Sequence, residues 1–99
     1  MKPDIKICGL KTPEALERAV RRGASHVGFI FFEKSPRNIE PDIAGRLAEA
    51  ARGAAKVVAV TVNAENDDLD EIVDLLRPDI LQLHGIESPE RVLNIKALY

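Results

Sequence analysis

Ninety-nine residues make at most one domain, and 45% hydrophobic with 30% charged residues is an ordinary balance for a folded chain. A formal net charge of -2 gives no electrostatic case for nucleic acid or an anionic membrane, and no apolar run approaches the roughly 18 residues that a membrane span needs. One cysteine cannot form an internal disulfide and no secretory signal opens the chain, so a cytoplasmic protein is expected.

The first apolar run, Ile5 to Leu10, reads as a strand. Alternation places Ile5 and Ile7 on one face, Lys6 and Cys8 on the other, and Gly9 ends the strand. Thr12 as N-cap, Pro13 at the first helical position and Gly23 as a stop frame a helix with Ala15, Leu16, Ala19 and Val20 as its apolar stripe. Val27 to Phe32 is a near-continuous apolar run, as expected of a covered strand. The loop that follows carries Lys34, Ser35, Pro36, Arg37 and Asn38. A second helix is predicted over about Asp42 to Arg52, with Ile43, Leu47 and Ala51 facing inward and Gly53 as its stop.

Lys56 to Asn63 is rich in β-branched residues and reads as a third strand. Asn66 or Asp67 is the expected cap of a third helix, in which Leu69, Ile72, Val73 and Leu76 recur at helical spacing before Pro78. Ile80 to His84 is the fourth strand, with Leu81 and Leu83 on one face and Ile80, Gln82 and His84 on the other. Ser88 and Pro89 open a fourth helix whose Val92, Ile95 and Tyr99 are spaced to face a core.

Strand, loop, helix and short turn thus repeat four times, and parallel strands with right-handed crossovers are expected. Polar and glycine-bearing segments gather after the strands, whereas the turns Gly23 to Ser25 and Gly53 to Ala55 are bland. That asymmetry fits an α/β barrel whose chemistry sits at the C-terminal rim. An open doubly wound domain binding a small anion is the alternative, weakened by the lack of a glycine-rich phosphate loop.

Each candidate residue has a plain structural reading beside the functional one. A lone cysteine in an apolar strand is commonly a small buried hydrophobe. Cys8 instead shares its face with Lys6 at a strand end, where a thiolate is placed to accept a proton. Arg37 reads by default as a solvated loop charge, and Pro36 before it stiffens the loop. Gln82 and His84 share a strand face as a hydrogen-bonded polar pair or as substrate contacts. Asn63 is a strand-end turn former or a rim residue. No cluster with metal-ligand spacing surrounds either histidine, and His26 begins its strand on the quiet side.

Taken in order, Lys6-Ile-Cys-Gly9, Gly28-Phe-Ile-Phe31, Lys34-Ser-Pro-Arg37, Val60-Thr-Val-Asn63 and Gln82-Leu-His-Gly85 resemble the phosphoribosylanthranilate isomerase family of tryptophan biosynthesis. The resemblance runs over nearly the whole chain but covers four of the eight strand and helix units of that family's TIM-type barrel. It implies an Amadori rearrangement of a phosphosugar substrate, N-(5-phosphoribosyl)anthranilate, without metal or organic cofactor. Cys8 matches the family's general base and Arg37 its anthranilate-carboxylate ligand, with Gln82, His84 and Asn63 as further substrate contacts. The family's general acid, an aspartate on a later strand, and its phosphate site both lie beyond Tyr99. The expected state is therefore a single half-barrel that is inactive alone and self-associates or takes up a C-terminal half; an inert oligomerising scaffold is the competing reading.

Overall fold

All four strand and helix units are present in the computed structural model, which describes residues 5–83 and 89–98. They run in the order β1 (Lys6–Cys8), α1 (Pro13–Arg21), β2 (His26–Phe31), α2 (Pro41–Ala51), β3 (Lys56–Thr61), α3 (Asn66–Leu76), β4 (Ile80–Leu83) and α4 (Pro89–Leu98). The strands form one parallel sheet in the order β1-β2-β3-β4, as successive crossovers require. The expected caps at Ser88 and the core contact of Tyr99 lie outside the described residues.

The two faces of the sheet differ in the size of their side chains. Val27 and Phe29 of β2 and Val57 and Ala59 of β3 are fully buried beneath the helices, joined by Ile7, Phe31 and Leu81. By alternation the other face carries Lys6 and Cys8, then His26, Gly28 and Ile30, then Lys56, Val58 and Val60, then Ile80 and Gln82. Lys6 Nζ donates a hydrogen bond to Gln82 Oε1, joining the two outermost strands. Those strands would be roughly 14 Å apart in a flat sheet, too far for side chains standing perpendicular to it. The sheet is therefore curved, with the Lys6 face concave and bulky Phe29 on the convex side, the geometry of a barrel segment.

Helix faces follow their sequence signals with two corrections. Thr12 caps α1 as expected, its Oγ1 accepting from Ala15 N at 3.1 Å. Ile43, expected inside, is 45% exposed. The buried stripe of α2 is instead Ala44, Leu47, Ala48 and Ala51, and Gly45 lies against the Leu75 carbonyl of α3, where a Cβ would not fit. Small residues thus set the rotation of α2, because they allow the closest helix approach. The second correction concerns α3, whose N-cap is Glu65 without a side-chain cap bond. Asn66 is the first helical residue, and its Oδ1 accepts from Arg91 of α4.

The turn at Ser25, bland by composition, ties β1 to β2. Ser25 Oγ donates to Ile5 O at 3.0 Å, accepts from Ile5 N at 2.8 Å and lies 2.8 Å from His26 Nδ1. With the hydroxyl proton given to Ile5, the contact with His26 requires Nδ1 to be the donor. Thr61 is fully buried, and its Oγ1 has no hydrogen-bond partner among the described residues.

Candidate functional site

Cys8 ends β1 and is half-buried, level with Gly28 on β2. A Cβ at Gly28 would stand 2.8 Å from the Cys8 Sγ, so the glycine supplies the room that the sulfur occupies on the concave face. Gly9 then turns the chain with φ +84, a conformation that L side chains rarely adopt, while its N–H donates to Gly28 O at 3.0 Å. The aliphatic stem of Arg37 lies directly over Gly9, at the place a Cβ would take. Thiol and guanidinium are thereby brought to the same end of β1 from positions 29 residues apart in sequence.

The β2–α2 loop owes its shape to its own polar groups. Ser35 N donates to Phe32 O at 2.9 Å, Asn38 N to Ser35 O at 3.1 Å, and Arg37 N to Ser35 Oγ at 3.1 Å. Asn38 Oδ1 accepts from Phe32 N at 2.7 Å, and Ile39 N donates back to Ile30 O at 3.1 Å, closing the loop on its own strand. From the β1–α1 side, Lys11 Nζ donates to Pro36 O at 3.2 Å. Arg37 is exposed, and among the described residues its guanidinium has no hydrogen bond or ion pair. All five of its N–H donors are available to an incoming carboxylate.

Gln82 lies on the concave face one step nearer the C-terminal rim than the level of Cys8, in register with Val60. Its Oε1 is taken by Lys6, which leaves the amide NH2 as its free end. Asn63 is placed differently. It stands in the left-handed region with φ 50 and lines a cleft of about 470 Å³ with Phe32, Lys34, Asn38 and Asp68, whose walls include neither Cys8 nor Arg37. His84 lies outside the described residues. Sequence reasoning left Lys6 and Asn38 without a role. The parity of Lys6 with Cys8 was the signal for the first, whereas nothing in the spacing of Asn38 announces a loop closed onto its own strand.

Residues 5–98 match the family described as N-(5'phosphoribosyl)anthranilate (PRA) isomerase. The chain belongs to this isomerase family. It is 89% identical over all of its 99 residues to the N-(5'-phosphoribosyl)anthranilate isomerase of Agrobacterium fabrum, of which it covers 45%. It is also similar to a crystal structure of phosphoribosyl anthranilate isomerase in complex with reduced 1-(o-carboxyphenylamino)-1-deoxyribulose 5-phosphate, with a TM-score of 0.90 and 32% identity, over 98% of this chain and 50% of that one. The isomerase of Thermotoga maritima, solved as monomers generated from a dimeric protein, gives a TM-score of 0.87 and 32% identity over 97% of this chain and 48% of its own. The chain thus spans about half the length of the isomerases it matches, and its four units correspond to half of their TIM-type barrel. No helix among the described residues is long and apolar enough to cross a membrane.

Proposed function

We propose that this chain supplies the general base and the carboxylate clamp of an N-(5'-phosphoribosyl)anthranilate isomerase, acting in the cytoplasm on the tryptophan pathway. The observation that carries the reading is the seat of Cys8 against Gly28 with Arg37 laid over the adjacent Gly9. Two chemically distinct ends of one substrate can then be held at one rim: an aryl carboxylate by the guanidinium fork, and a C–H bond by the sulfur.

The chemistry begins with protonation of the ribose ring oxygen, which opens the ring to a Schiff base. The Cys8 thiolate then takes the C2 proton, and the electron pair moves into the C1–C2 bond to give an enolamine. Tautomerisation returns a proton to C1 and leaves a ketone at C2, so the step is redox-neutral overall. Gln82, with its amide NH2 directed away from Lys6, donates to a sugar oxygen, and His84 adds a contact, whereas Asn63, which lines the neighbouring cleft, is given none. The concave positions of the four strands hold no carboxylate among the described residues, so the ring-opening acid comes from the other half of the barrel.

The test combines the chain with the remaining half of the isomerase of Agrobacterium fabrum and follows loss of substrate fluorescence. Cys8→Ala is expected to lower kcat by about 10²- to 10⁴-fold, the usual contribution of a positioned general base. Turnover that survives Cys8→Ala removes the sulfur as base. Turnover by the 99 residues alone would show that the acid and phosphate-binding groups lie within this chain.

A further inference from the structure

At the N-terminal end of the concave face three basic side chains stand in one row. Lys6, His26 and Lys56 are register partners on β1, β2 and β3. Their successors Ile7, Val27 and Val57 pack beneath the helices, so alternation turns all three toward the inside of the curve. The row has little internal compensation. Lys6 gives its ammonium to a neutral acceptor, Gln82 Oε1, and the His26 ring is engaged with Ser25 Oγ. Among the described residues neither Lys6 nor Lys56 has an ion pair, and no concave strand position carries a carboxylate.

We infer that this cationic row selects what covers the concave face: a polypeptide that sets carboxylates level with Lys6, His26 and Lys56, namely the remaining half of the isomerase rather than a second copy of this chain. An ammonium carried into a closed interior without an acidic partner is strongly unfavourable. A second copy completing the ring about the same axis would bring its own Lys6 and Lys56 to the same layer and place four ammonium groups together. The isomerases that this chain matches are about twice its length and so contain a different polypeptide to close the ring. Charge complementarity at this row would then set register as well as partner, since like charges opposite one another reject a wrong docking.

The inference rests on the chain being half of an isomerase barrel, and its test reads association rather than turnover. The chain is produced together with the polypeptide that follows the matched stretch in the Agrobacterium fabrum protein, and dissociation is followed by analytical ultracentrifugation at rising sodium chloride. A one-to-one complex is expected whose affinity falls by about tenfold or more from low to high salt. Lys56→Glu should weaken it by a similar factor, and Lys56→Gln by less, with the circular dichroism of each variant chain unchanged. A complex indifferent to salt and to both Lys56 variants, no complex at all, or a stable dimer of this chain alone at low salt would overturn the inference. A salt-sensitive complex that turns over no substrate would fault the enzymatic reading and leave the row's role standing; an active complex indifferent to both would fault the row alone.

Discussion

Gly9 does two jobs that no other residue could combine. Its φ of +84 turns the chain after Cys8, and the missing side chain leaves the surface on which Arg37 rests. An alanine there costs about 1–2 kcal/mol for the left-handed backbone and also pushes the guanidinium stem away. In the complemented isomerase, Gly9→Ala is expected to raise KM by about 10- to 100-fold, the worth of a hydrogen bond to a charged group, with a smaller effect on kcat. An unchanged KM would mean that the substrate carboxylate is held elsewhere. Thr61 allows a second test on the chain itself. Its buried Oγ1 has no partner among the described residues, so the isosteric Thr61→Val should stabilise by about 1 kcal/mol, or about 4–8 °C in Tm for a domain of this size. A lower melting temperature would show that the hydroxyl is satisfied. The parity of Lys6 and Cys8 could be read from four residues of sequence because strand alternation is a local property. The seat of Arg37 could not, because it depends on Asn38 closing the loop by accepting from Phe32 N, just past the end of β2.

Helices α2 and α3 form one unit through contacts at their C-terminal ends. Arg52 donates to the Leu76 carbonyl, one of the orphan acceptors at the end of α3, and its Nε donates to Glu49 at 3.0 Å. Arg77 reaches the same carboxylate at 2.9 Å. Hydrogen bonds from Arg52, then from Arg77, hold the Glu49 carboxyl below its ordinary value of 4.5. A carboxyl depressed in the folded state stabilises that state above the unfolded value, and the benefit disappears as pH falls through the lower folded value. The difference in denaturation midpoint between the native chain and Glu49→Gln should therefore be constant from neutral pH down to about 4.5 and shrink at more acid pH. The effect is small because the Glu49 side chain is 55% exposed. A difference that grows on acidification would contradict it. Element identity was plain in the sequence wherever periodicity was unbroken, as in Leu69, Ile72 and Leu76, all buried. It failed for Ile43, because the closest approach of two helices is decided by where Gly45 and the alanines lie and not by where the largest apolar residue lies.

At the scale of the whole molecule the strands form one curved sheet, and among the described residues neither β1 nor β4 is paired along its outer edge. In a parallel pair successive N–H groups point to opposite sides of the strand. Ile5 and Gly9 donate toward β2, and Asp79 donates toward β3. Lys6 and Cys8 on β1, and Ile80 and Gln82 on β4, therefore aim their N–H groups outward along the two free edges. A barrel closed by four further strands pairs both edges at once. Two sheets stacked concave face to concave face pair neither. Hydrogen exchange separates these assemblies residue by residue. In the chain alone the amides of Lys6, Cys8, Ile80 and Gln82 should exchange fast while those of β2 and β3, flanked on both sides, wait for larger openings. Addition of the remaining half of the isomerase should slow the outward amides, Cys8 and Gln82 among them, by at least about tenfold relative to the chain alone. Protection confined to one edge would describe an open sheet extended on that side. Protection at neither edge would describe stacking, and in that arrangement the sulfur and the guanidinium would face a partner that cannot complete the rim around the substrate.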